Sequence, residues 1–310
     1  MDSLLLPIVA VIQWLTYKFI FPCDRKRKHY SQLTCLATTN HEHIILSTII
    51  NGIDVDYGDS AISSSSSSSS SDSSSSVRVE TYAVLYRQRT EPNKVILYSH
   101  GNDSSIETLH ERSCQMRDIF NVDVCVYEYP EHPDQHKINA VIDVCYQQLV
   151  ARGYQQIIIW GKSIGTGPSC WLAARQCMVG RPEASRPEVD HSEVNQRLTN
   201  QPVIKLVLIA AYTTFHDILT STYWYLPWLK YAIPNLWDNK RSIDRVSCPI
   251  YLFHGDADTT IPCQQSVSLY SASVACQDKQ LFILAGIDHE IYYEAVLAKL
   301  YLDSVLGCSG

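Results

Sequence analysis

IIIWGKSIGTG, residues 157–167, is the stretch from which the rest of the chain can be ordered. Ile157 to Trp160 are β-branched or aromatic without a polar break, the pattern of a strand covered on both faces. Gly161, Lys162, Ser163, Ile164 and Gly165 follow, and the sequence from Ile164 to Cys177 then reads as a helix. A strand that turns into a helix this abruptly brings its own backbone close two residues before and two residues after the serine, where only glycine fits. The turn lifts Ser163 to the edge of a sheet and sets it at a helix N-terminus, whose partial positive charge favours a developing anion. A bare G-x-S-x-G is weak on its own, and a serine in a structural turn is the plain alternative; the strand before and the helix after raise it to a nucleophile elbow.

Working outward, short apolar runs alternate with helical stretches. Lys94 to Ser99, Val122 to Tyr127 and Gln156 to Trp160 read as strands, with helices over Ser104 to Phe120 and Lys137 to Ala151 between them. Val203 to Ala210, Pro249 to His254 and Gln280 to Leu284 continue the strands, and Glu290 to Leu306 closes the pattern as a last helix. This order predicts an α/β fold with a mostly parallel central sheet and helices on both faces. Upstream, His43 to Ile50 and Val77 to Arg87 suit two antiparallel strands, with a serine tract at 59–76 too polar to pack as the loop between them. A polar insert spans 180–201. A second insert, 220–237, is dense in aromatic residues and interrupted by Pro227 and Pro234, and forms a small cap-like element.

An elbow serine needs a base, and the base needs an orienting carboxylate, in the chain order Ser, Asp, His. Asp258 stands four residues after His254 in the loop that leaves the strand Ile250 to Phe253, and Asp256 is the weaker choice beside it. His289 lies in the loop between the strand ending at Leu284 and the last helix, where a general base belongs. An oxyanion would take one N–H from Ile164 and a second from the loop Ser99, His100, Gly101, Asn102, with Asn102 the donor. His100 is expected to support that loop. Trp224, Trp228 and Trp237 of the aromatic insert could line an acyl groove, touch the bilayer or pack in the core; the sequence leaves these open.

Composition sets the remaining bounds. With 310 residues, 45% of them hydrophobic, the chain can bury one large core. A net charge of -7 offers no basic surface for phosphates, so nucleic acid is not an expected partner. The 11 cysteines are scattered, odd in number and without a C-x-x-C pair, which points to reduced thiols, no metal site and no cofactor. Residues 1–30 read as an anchor or interfacial segment and residues 31–310 as the catalytic domain. Leu4 to Phe21 is apolar enough to enter a bilayer, spanning it or lying on it, and the basic cluster Arg25 to Lys28 would keep the rest of the chain on the cytosolic side. Cys23, beside that cluster, is a candidate for lipidation.

Four short motifs, SHGN (Ser99–Asn102), GKSIGT (Gly161–Thr166), HGDAD (His254–Asp258) and GIDHE (Gly286–Glu290), together resemble the membrane-tethered α/β-hydrolase-domain proteins that remove palmitate from cysteines. The resemblance covers most of residues 77–306. It implies an α/β-hydrolase fold, a triad at Ser163, Asp258 and His289, and an acylated protein or lipid as substrate. Related lipases, lysophospholipases and peptidases share these signatures, and a catalytically silent membrane-bound protein could keep the fold. The chain departs from the family in two places. Tyr127 to Pro133 (YEYPEHP) stands where the family has a glycine-rich turn, and the family's cysteine-rich N-terminus is reduced to Cys23.

Overall fold

In the central strands the side chains alternate between two separate cores, which is why those strands are apolar throughout. Leu97, Ile157, Ile159, Leu206, Leu208 and Leu252 enter one core; their neighbours Ile96, Tyr98, Ile158, Trp160, Val207 and Phe253 enter the other. A computed structural model describes residues 41–50, 77–88, 93–102, 104–130, 134–179, 202–222 and 235–291. The elements run β1 (His41–Ile50), β2 (Val77–Tyr86), β3 (Lys94–Ser99), α1 (Ile106–Phe120), β4 (Asp123–Tyr127), α2 (Gln135–Ala151) and β5 (Gln156–Lys162). A 3-10 turn (Ser163–Gly165) leads into α3 (Thr166–Val179), then β6 (Val203–Ile209), α4 (Phe215–Thr222), α5 (Asn239–Ile243), β7 (Ile250–Gly255), α6 (Gln264–Ala272) and β8 (Lys279–Leu284).

The eight strands form one sheet in the order β1-β2-β4-β3-β5-β6-β7-β8. β1 pairs antiparallel with β2, and β2 with β4; every later pairing is parallel. The antiparallel pair β1–β2 is the pair expected on either side of the serine tract, which itself lies outside the described residues. From β3 the chain steps outward to β4 and then back to β5 on the other side. The strand order therefore reverses between β3 and β5, and open α/β sheets form their sites outside the C-terminal strand ends at such a switch point. The loop after β3 and the elbow after β5 are the two that meet there.

Helices α2 and α3 cover the first core through Ile138, Val141, Ile142, Leu149, Cys170 and Leu172; α1 covers the second through Ile106, Leu109, Met116 and Phe120. Helices α1 and α2 start at side-chain caps. Ser105 caps α1 and exchanges bonds with Thr108 in a capping box, and Asp134 caps α2 by accepting from the N–H of Lys137 at 2.8 Å. α2 accordingly begins two residues before the Lys137 expected from apolar periodicity alone. The closing helix expected from Glu290 to Leu306 lies, beyond Ile291, outside the described residues. So do the segment Leu4 to Phe21, Cys23, the insert 180–201, and Trp224 and Trp228. Among the described residues no helix is long and apolar enough to cross a membrane.

Candidate active site

Ser163 has φ 53, the left-handed region that a side chain enters only when the surroundings impose it. The two glycines explain how the turn closes around it. A Cβ on Gly161 would lie 2.6 Å from the carbonyl oxygen of Gly165, and one on Gly165 would lie 2.2 Å from that of Ser99. The elbow therefore rests directly on the backbone of the loop after β3, and both glycines are required by contact.

Ser163 Oγ lies 3.1 Å from Nε2 of His289, and Nδ1 of His289 lies 2.8 Å from Oδ2 of Asp258. The structure thus brings together three residues separated by most of the domain. Asp258 sits in the loop after β7, and its Oδ1 accepts the N–H groups of Thr260 and Ile261, both at 2.8 Å. Burial would raise its pKa, but hydrogen bonds from His254, His289 and Ile261 outweigh that and hold the carboxyl well below the usual range. An ionised carboxylate can only accept, so the proton between it and His289 belongs to Nδ1. Nε2 is left to accept from the Ser163 hydroxyl.

Three further details position the base. Asp256 is not part of this chain of bonds: it accepts the N–H of Gly286 at 2.6 Å and ties the turn that precedes His289. Gly255 lets that loop approach, since a Cβ there would lie 2.0 Å from the carbonyl oxygen of Ile287. His254 is fully buried and donates its Nε2 proton to the carbonyl of Ile261 at 2.8 Å and to Asp258 Oδ2 at 3.1 Å. Sequence reasoning passed over His254 as the end of a strand; the signal for it was a polar side chain four residues before the acid in an otherwise apolar run.

Lys162, the residue inside the elbow motif, is also buried. Its ammonium reaches Glu290 at 2.9 Å, so the residue before the serine is paired with the residue after the histidine. The loop after β3 has comparable support. Ser99 Oγ and the Tyr127 hydroxyl share a hydrogen bond of 2.8 Å, and the Tyr129 hydroxyl donates to the carbonyl of His100 at 2.6 Å. The buried Glu128 accepts the N–H of Ile106, at the start of α1, at 3.0 Å and lies 3.7 Å from Nε2 of His100. His100 is itself buried, as its expected supporting role requires. Trp237 is buried against the backbone of α3 at Gly167, and its indole N–H donates to Asn139 at 2.9 Å. Among the described residues no cluster of acid, histidine or cysteine side chains could hold a metal ion.

This is an α/β-hydrolase fold. Est1E from Butyrivibrio proteoclasticus superposes on 74% of this chain and 93% of its own, with a TM-score of 0.53 at 16% identity. Among curated proteins, the zebrafish (Danio rerio) lysophosphatidylserine lipase ABHD12 is 24% identical over 196 residues, 60% of this chain and 48% of the relative. The Caenorhabditis elegans α/β-hydrolase domain-containing protein aho-3 is 24% identical over 193 residues, 59% of this chain and 49% of the relative. The chain therefore spans about half the length of the curated relatives it matches. No family model matches it.

Proposed function

We propose that the chain is a serine hydrolase that cleaves acyl ester or thioester bonds through an acyl-enzyme. The observation that carries this reading is the unbroken line of hydrogen bonds from Ser163 Oγ through His289 to Asp258, at 3.1 and 2.8 Å. Ser163 attacks the acyl carbon while His289 takes its proton at Nε2. Asp258 holds the proton on Nδ1 and stabilises the imidazolium that forms. The backbone N–H groups of Ile164 and Asn102 receive the oxyanion, a role supported by the contact between the elbow and the Ser99–His100 backbone. His289 then protonates the leaving alcohol or thiol, and water, activated by the same histidine, releases the acid.

The motif set favours a palmitoyl thioester on protein as the acyl donor, and the lysophosphatidylserine lipases among the relatives favour a lysophospholipid. Both are long-chain acyl groups presented at a membrane. The apolar segment Leu4 to Phe21, with its basic flank, supports a membrane-associated enzyme whose catalytic domain faces the cytosol.

The test is labelling of membranes carrying the protein with a fluorophosphonate probe, native chain against Ser163→Ala. Labelling confined to the native chain supports the activated serine. A folded native protein that does not label is a silent member of the fold, and the proposal fails. Hydrolysis of a palmitoylated cysteine peptide and of lysophosphatidylserine, compared as kcat/KM, then decides between the two substrates.

A further inference from the structure

His289 is held from two directions, and an ion pair belongs to the second. On the side of the acid, its loop is bound to the loop after β7 through backbone groups. The N–H of Asp256 donates to the Leu284 carbonyl at 3.1 Å, that of Gly286 to Asp256 Oδ1 at 2.6 Å, and that of Ala257 to the Ile287 carbonyl at 3.0 Å. These bonds fix the base against Asp258 but not against Ser163, which stands on a different loop. Toward the elbow the contacts are made by side chains: His289 Nε2 lies 3.1 Å from Ser163 Oγ, and the Lys162 ammonium donates to Glu290 at 2.9 Å. Lys162 ends β5 in an extended conformation immediately before the turn. Asp288 Oδ1 accepts the N–H of Glu290 at 2.9 Å and shapes the backbone from which Glu290 projects.

A lysine on its four-carbon stem ordinarily carries the ammonium out to water, whereas the Lys162 side chain is 6% exposed. Desolvating a charge offsets much of the attraction gained, so stability alone does not account for a pair at this place. We propose, on the serine-hydrolase reading above, that Lys162 and Glu290 are positioning residues whose ion pair sets the distance between the base loop and the elbow, so that His289 Nε2 meets the Ser163 hydroxyl in bonding range. Both act through the serine and the histidine beside them. Without the pair His289 keeps its bond to Asp258, but its reach to Ser163 is no longer imposed, and a misplacement of about 1 Å is enough to lower a rate about 100-fold.

The experiment measures kcat and KM for p-nitrophenyl acetate on the full-length protein and on Glu290→Ala, Lys162→Met and Glu290→Gln, each shown to be folded by circular dichroism. Because one histidine serves both acylation and deacylation, kcat should fall about 10- to 100-fold in the first two while KM stays within about twofold. Glu290→Gln keeps an oxygen that the ammonium can reach and should retain several times the kcat of Glu290→Ala. The charge left behind differs: Glu290→Ala leaves a buried cation unpaired and Lys162→Met leaves none, so a lost tether slows both, whereas an unpaired charge would slow the first alone. A kcat within about twofold of native in either folded variant overturns the proposal, as does a loss confined to KM. Where one of the two does not fold, the other decides. Native protein that neither turns over the ester nor labels at Ser163 refutes the serine-hydrolase reading itself, a result distinct from an active native protein with equally active variants.

Discussion

Asp258→Asn is the substitution whose outcome the site geometry predicts most sharply. The carboxylate accepts from both sides: Thr260 and Ile261 N–H on Oδ1, His289 and His254 on Oδ2. An asparagine of the same shape must point its NH2 at one of these pairs. Facing the histidines, it meets two donors and drives His289 to carry its proton on Nε2, where it cannot accept from Ser163. Facing the loop, it opposes two backbone N–H groups, at about 1–3 kcal/mol for each donor left unmatched. A wrong tautomer at an otherwise intact triad lowers the acylation rate about 10⁴-fold, or about 5 kcal/mol of transition-state stabilisation. The assay is the second-order rate of fluorophosphonate labelling together with p-nitrophenyl acetate hydrolysis, on protein shown to be folded by circular dichroism. A folded variant retaining more than about a tenth of the native rate would mean that Asp258 does not control the tautomer, and the roles assigned here would be wrong.

Other expectations follow from the same contacts. Because the Asp258 carboxyl is held low in the folded state, its contribution to stability is complete above the unfolded carboxylate range, near pH 4, and is lost as pH falls through the lowered native value. The urea-midpoint difference between native protein and Asp258→Asn should therefore be flat from about pH 5 to 7 and shrink in acid; growth in acid would contradict it. Glu290→Gln removes the counter-charge of the buried Lys162 and, with Glu290 partly exposed, should cost about 1–3 kcal/mol in urea unfolding. Adding Lys162→Met should return part of that loss, whereas strict additivity in the double-mutant cycle would show the pair to be uncoupled. Gly165→Ala drives a Cβ into the Ser99 carbonyl and should yield insoluble protein or a loss above about 4 kcal/mol, where an ordinary surface substitution costs under about 0.5. Ile159→Ala, at a fully buried strand position, should cost about 2–5 kcal/mol by the same measurement without changing the labelling rate of the folded fraction.

The sheet was legible because its strands alternate with helices at regular spacing, and the elbow because a tight strand-to-helix turn leaves a glycine signature that few other structures need. Ser163, Asp258 and His289 could be chosen from chain order alone, since each follows a strand in the loop at its C-terminal end. What escaped was whatever depends on contacts between distant segments. Nothing in the local sequence says that Lys162 reaches Glu290 or that His254 turns back on the acid it precedes. Trp237 illustrates the converse: its place in an aromatic, proline-broken insert left lining and packing equally open, and only the contact with Gly167 and Asn139 assigns it to the core. Helix starts shifted by a residue or two because caps, not apolar periodicity, decide where a helix begins.

The turn Tyr127 to Pro130 carries the argument one step further. Read as sequence, it belongs to the stretch Tyr127 to Pro133 that stands where the family has a glycine-rich turn. In the fold its first three residues all serve the loop beside the elbow: Tyr127 at Ser99, Glu128 between His100 and the start of α1, and Tyr129 at the His100 carbonyl. Burial of both tyrosines pushes their hydroxyls well above the ordinary value, so each stays protonated across the working range of pH; Tyr129 stays a donor, and Tyr127 keeps its bond with Ser99. A glycine-rich turn could supply none of these bonds. A loop that must present a backbone N–H to a charge existing only in the transition state gains from being held in place beforehand, because movement at the moment of reaction would cost what the hydrogen bond returns. Under the mechanism proposed above, the aromatic turn is what holds the Ser99–Asn102 loop in place before the reaction.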